Sequence, residues 1–312
     1  MQLFSDRLVE SIRKTGSPCV VGLDPRIDLM PAFITSGRHK PAREAVRSVI
    51  CDFHELVLDT VAALVPAVKL QLAFFEQYGS PGIQAFEDTV QAAKQRGLLV
   101  IADGKRNDVA STAEAYAAAF LGESDIFGEK QEVFDVDAMT VTPYLGRDSL
   151  VPFVDACEMH GKGLFIVLKT SNPGSIDFQD QPLEATGRPL YETIAQTIRD
   201  LAERMIGESS YSSIGAVIGA TFPDDAKRLR ALLPQAFILV TGYGAQGASA
   251  QGAAACFNAD ALGAIVSSSR GLTYSFGDEN VTKELFVKCV REKTLRMRDD
   301  IATAVKGSAA SV

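Results

Sequence analysis

The chain has 312 residues, is 46% hydrophobic and carries a formal net charge of −8. Such a length supports one large core or two small ones, and the acidic balance argues against a nucleic-acid partner. No stretch reaches the roughly 18 consecutive apolar residues of a membrane span, and the five scattered cysteines and three isolated histidines exclude a disulfide framework and a zinc site from the expectation.

Taken from the start, MQLFSDRLVESIRKTGS places Phe4, Leu8 and Ile12 at helical spacing, with acids early and no long apolar run. It reads as an amphipathic helix and not as a signal peptide, which with the unpaired thiols fits a cytoplasmic protein. Short apolar runs then recur: 18–24, 67–75, 98–105, 138–145, 163–170, 215–221, 236–242 and 263–270. Most are continuous rather than alternating, as strands covered on both faces require. Helical spacing fills the gaps, with Val46, Ile50, Phe53 and Val57 on one face, then Ile83, Phe86, Val90 and Ala93, then Ile194, Ile198, Leu201 and Met205. Pro81, Asp148 and Pro223 stand where helices should start. Residues 121–137 and 171–190 form longer connections, neither long enough for a domain, and the chain from about 303, ending KGSAASV, reads as a frayed tail.

Eight strands alternating with helices predict a single-domain (β/α)8 TIM barrel, with a doubly wound open sheet as the competing architecture. In a barrel the chemistry gathers at the C-terminal strand ends. Here those ends carry Asp24, Lys69 with Gln71, Asp103 with Lys105, Thr142, Thr170 with Ser171, Thr221, then GYGAQG (242–247), then SSSRG with Arg270. Asp103 and Lys105 are two apart, so a strand points both to one face, and Lys69 lies on the neighbouring strand. An alternating Lys–Asp array lets each charge offset the next, whether as chemistry or as a solvated salt-bridge cluster at the rim.

The glycines of GYGAQG expose backbone N–H groups where barrels commonly bind phosphate. The segment also fits G-x-G-x-x-G, but it follows the seventh strand and Asp260 comes too soon for a ribose partner. A monophosphate cradle is therefore preferred to a dinucleotide site, with plain turn glycines as the other reading. Thr170 and Ser171 suit amide-type edges or an Asn-Pro-Gly turn, and Asp24 suits a sugar hydroxyl or a cap before Pro25.

ADGKRNDVAST (102–112), with VGLDPR (21–26), TSNPGS (170–175), GYGAQG and the late SSSRG, resembles the orotidine 5′-monophosphate decarboxylase family, in its longer bacterial branch, over essentially the whole chain. One departure is Lys69-Leu70-Gln71, where the family commonly has proline after the lysine; the lysine and amide remain, while a fixed φ is lost. The resemblance implies decarboxylation of orotidine monophosphate to UMP with no metal or cofactor. It implies Lys105 beside C6 as charge stabiliser and proton donor, and Asp103 near the substrate carboxylate. Lys69 would bond the ribose and Asp103. Asp24 and Gln71 would meet the ribose, and Thr170 and Ser171 the pyrimidine. Gly244, Gln246, Gly247 and Arg270 would hold the phosphate. Asp108, with Thr112 one turn on, would enter from the second subunit of a homodimer with shared sites.

The competing readings are a magnesium-dependent keto-acid decarboxylase or epimerase acting on a sugar phosphate, with Asp103 as metal ligand, and a Schiff-base aldolase using Lys169 or Lys105. A non-catalytic ligand-binding protein on the same scaffold is the third, which loss of Lys105 or Asp103 would have signalled; both are present.

Overall fold

A computed structural model describes residues 1–37, 42–244, 249–277 and 280–309. In chain order it runs α1 (Phe4–Thr15), β1 (Cys19–Leu23), α2 (Ala32–Thr35), α3 (Ala42–Val61), β2 (Ala67–Gln71), α4 (Leu72–Glu76), α5 (Ser80–Gln95), β3 (Leu99–Arg106) and α6 (Ala110–Leu121). There follow β4 (Ser124–Ile126), β5 (Glu129–Gln131), β6 (Ala138–Val141), α7 (Val151–His160), β7 (Gly163–Lys169), α8 (Leu190–Ala202), β8 (Ser212–Gly219) and α9 (Pro223–Leu232). The chain closes with β9 (Ala236–Thr241), α10 (Ala250–Ala254), β10 (Ala264–Ser268), α11 (Arg270–Thr273) and α12 (Lys283–Ala309).

Eight parallel strands close into a barrel in the order β1-β10-β9-β8-β7-β6-β3-β2, which rules out the open doubly wound sheet. The continuous apolar runs are explained by burial on both faces: outward residues such as Val21, Val68 and Val100 meet the helices, and inward ones such as Val20, Ala67 and Ile101 fill the barrel. The inner cluster includes Phe4, Leu8, Val9 and Ile12 of α1. That helix crosses the N-terminal end of the barrel: Phe4 packs edge-on to Phe165 at 5.9 Å, Ser5 N–H donates to Ser213 Oγ and Ser11 Oγ to the Pro66 carbonyl.

Three stretches differ from the expectation. The apolar run 67–75 is not all strand; the chain turns helical at Leu72, because a helical turn puts Leu72 and Phe75 inward together, Phe75 packing on His54 and Phe86. The 121–137 connection holds a small antiparallel hairpin, β4–β5. Residues 303–309, expected as tail, are the last turns of α12: Ile301, Ala304 and Val305 are buried at helical spacing and hold them down.

Candidate active site

The C-terminal strand ends surround a cavity of about 320 Å³ lined by Asp24, Lys69, Gln71, Asp103, Lys105, Thr170, Ser171 and Arg270, among others. Its floor is a charged row built on two adjacent strands. Parallel pairing of β2 with β3 sets Gln71 beside Asp103, so Lys69, Gln71 and Asp103 rise on one face of the ladder. The Asp103 carboxylate accepts at both oxygens: from Lys69 Nζ at 2.6 Å and Gln71 Nε2 at 3.0 Å on Oδ2, and from Lys105 Nζ at 2.7 Å and Thr140 Oγ1 at 2.8 Å on Oδ1. Asp103 and Lys69 are only 4% and 5% exposed. Burial alone would raise the Asp103 carboxyl, but the two ammonium groups and their hydrogen bonds outweigh it and hold it well below the usual carboxylate range. Burial likewise works against a charged Lys69, yet Asp103 and Asp24 raise it above its ordinary value. Both groups are therefore ionised at neutral pH, and the row runs Asp24, Lys69, Asp103, Lys105 with alternating sign.

Lys105 ends the row differently from a regular strand residue. Its φ is +46°, in the left-handed region, and pairing with β6 shifts register between Ala102 and Arg106. Its amide donates to Thr140 Oγ1 at 3.0 Å while its Nζ holds Asp103. Thr140 thus fixes the backbone of one charged residue and the side chain of the other. The sequence reading named Thr142 on this strand, but Thr142 lies past its end, where its N–H serves the Arg106 carbonyl. A polar residue inside the buried AMTV strand was the available signal. The left-handed backbone costs about 1–3 kcal/mol and persists only because its surroundings enforce it; what it achieves is to aim a half-exposed ammonium into the cavity.

Across the cavity the Thr170 N–H donates to Gln179 Oε1 at 2.9 Å, Gln179 Nε2 donates to Thr170 Oγ1 at 2.8 Å, and Thr170 Oγ1 bonds Asn172 Oδ1 at 2.6 Å. Gln179, which no sequence motif singles out, and Asn172 of the Asn-Pro-Gly turn therefore fix the presentation of Thr170. Lys169 is outside the cavity, buried between the rings of Tyr191 and Phe222 at 5.3 and 5.1 Å and ion-paired to Asp180, so it does not serve as a Schiff-base amine. Arg270, exposed at the start of α11, is among the residues lining the cavity, with Ser267, Ser268 and Ser269. After the adjacent strand β9, Gly242 and Gly244 turn the chain with φ of +90° and +76°, conformations that favour glycine. Gly244 lines not this cavity but a neighbouring groove along α12, with Ser249, Lys293 and Arg296. Gln246 and Gly247 lie outside the described residues. Asp108 and Thr112 do not line the cavity of their own chain: Asp108 Oδ1 accepts from the Val109 N–H ahead of α6, and Thr112 is exposed on its first turn.

A closed (β/α)8 barrel whose strand ends converge on a buried lysine–carboxylate row has the architecture of a barrel enzyme with its chemistry at that end. Within that class the chain belongs to the orotidine 5′-phosphate decarboxylase / HUMPS family, whose model matches residues 20–285. It is 41% identical over 276 residues to an orotidine 5′-phosphate decarboxylase of Caldicellulosiruptor saccharolyticus, covering 88% of this chain and 90% of that one. It is 38% identical over 305 residues to the enzyme of the same name from Caldicellulosiruptor bescii, covering 97% and 99%. The structure of Leishmania donovani OMP decarboxylase superimposes with a TM-score of 0.72 at 28% identity, covering 98% of this chain and 99% of that one.

Proposed function

We propose that this protein converts orotidine 5′-monophosphate to UMP and carbon dioxide, with no metal or cofactor, as a step of pyrimidine nucleotide synthesis. The observation that carries the reading is Asp103, held ionised with both oxygens occupied between Lys69 and Lys105. In the reaction the bond from C6 to the carboxylate breaks, carbon dioxide leaves, and the electron pair stays on C6. Lys105 stabilises that charge and then gives it a proton from Nζ. Because the ammonium is fixed before substrate arrives, no reorganisation is needed when the charge develops. Asp103 sits where the substrate carboxylate must come and also aims Lys105. A carboxylate already saturated by two ammonium groups, a hydroxyl and an amide is poorly disposed to ligate magnesium, which disfavours the metal-dependent alternative. Asp24 and Gln71 then face the ribose, Thr170 and Ser171 the pyrimidine edge, and Arg270 with the turn after β9 the phosphate.

Asp108 reaches the site from a second copy of the chain in this reading. Support comes from its position outside its own cavity and from exposed apolar side chains nearby in the chain and after β6, namely Val109, Tyr144 and Leu145. Five free cysteines fit a cytoplasmic setting, and no helix among the described residues is long and apolar enough to cross a membrane. The test is the absorbance loss of orotidine monophosphate on adding purified protein with EDTA present. Steady loss is expected; no loss, or loss only after magnesium is restored, rejects the proposal.

A further inference from the structure

Asp24 is the acid at the far end of the charged row, coupled to Lys69 by charge. Its Oδ1 is buried in the cavity wall and finds no hydrogen-bond partner among the described residues. Apart from the charge of Lys69, its direction is then set by its backbone. That backbone leaves β1 through Asp24-Pro25-Arg26, and Pro25 has no N–H with which to brace the turn. The brace comes from Tyr274, 250 residues along the chain. The Tyr274 hydroxyl donates to the Asp24 carbonyl at 3.1 Å and accepts from the Arg26 N–H at 2.9 Å, closing a bridge over Pro25. A phenol is both donor and acceptor, so a single side chain serves both backbone groups. The ring itself is held by stacking on Phe53 of α3, with centroids 5.2 Å apart and planes at 16°. Tyr274 follows α11 directly, and its own N–H donates to the Arg270 carbonyl at 3.1 Å. Burial pushes the phenol above its ordinary value, so the hydroxyl keeps its proton, and with it the donor to Asp24, through neutral pH. Tyr78 touches the same loop only through a longer 3.4 Å bond from the Ile27 N–H.

We infer that Tyr274 is a positioning residue that holds the Asp24 carboxylate at the sugar end of the site through the backbone turn around Pro25. The inference rests on the proposed function, since it takes Asp24 to meet the ribose.

Tyr274→Phe keeps the ring and its stacking on Phe53 and removes both hydrogen bonds. With Asp24 loosened, KM for orotidine monophosphate and the inhibition constant of UMP should rise together, about fivefold for a net loss the size of one hydrogen bond. kcat should stay within about threefold, because sugar contacts serve ground and transition states alike. The decisive arm repeats the substitution in an Asp24→Asn background, where it should add less than about twofold, since there is no carboxylate left to position. The full penalty persisting in that background overturns the inference, because the phenol then acts elsewhere. So does a Tyr274→Phe enzyme with wild-type KM and UMP inhibition, even one with lowered thermal stability. An inactive wild type overturns the proposed function and this assignment together, which separates it from failure of the assignment alone.

Discussion

Replacing Asp103 by asparagine keeps the side-chain shape and removes the charge at the centre of the row. Lys69, 5% exposed, then keeps its ammonium with only Asp24 to offset it, whereas half-exposed Lys105 can turn toward water. Leaving one member of a buried pair unpaired costs about 3–5 kcal/mol. The asparagine oxygen can still accept one hydrogen bond, which returns about 1 kcal/mol. The variant should therefore be about 2–4 kcal/mol less stable than wild type and should not turn over orotidine monophosphate. Adding Lys69→Met removes the stranded ammonium and should restore at least about half of the lost stability. The chain has no tryptophan, so urea unfolding is best followed by far-ultraviolet circular dichroism, with an unchanged m-value as the check on comparable unfolded states. A loss under about 1 kcal/mol, or a double variant no more stable than Asp103→Asn alone, would show that Lys69 does not depend on Asp103, and the description of the row would be wrong.

The same row predicts an acid limb. Asp103 has a folded-state value held below its unfolded one, so its contribution is complete above about pH 5 and drains as pH falls through and below about 4, where the unfolded chain takes up the proton first; wild type and Asp103→Asn should converge in stability there. Lys105→Ala should remove nearly all turnover and leave UMP binding largely intact, and retention of more than about a tenth of kcat would contradict its role. Arg270→Ala should raise KM and weaken UMP binding, since Arg270 lines the cavity with Ser267–Ser269; wild-type affinities would remove it from the phosphate site. Mixing inactive Lys105→Ala and Asp108→Ala proteins should restore roughly a quarter of wild-type activity through one intact hybrid site per mixed dimer. Exchange of subunits without rescue would place Asp108 in its own chain's chemistry.

Periodicity exposes the barrel because strands buried on both faces leave continuous apolar runs, and each of the eight runs overlaps a barrel strand. Lys69, Asp103 and Lys105 were legible because charges at the end of such runs are costly without partners. What escaped has a physical reason in each case. Residues 72–76 look equally apolar as strand or helix, and only the contacts of Phe75 decide between them. Thr140 is one hydroxyl in a buried strand, and its importance comes from two partners on β3 that no local pattern reveals. Two-residue spacing put Lys105 on the same face as Asp103, but not its left-handed φ, which depends on β6. Tyr274 meets Asp24 across almost the whole chain.

The helix across the bottom of the barrel has a consequence for turnover. With α1 and the apolar layers above it closing that end, the charged row lies at the opposite, C-terminal end of the barrel. Under the proposed function, substrate entry and carbon dioxide release both belong to that end. In that reading Lys105 gives up its proton at this same end, where its side chain is 43% exposed and can be recharged.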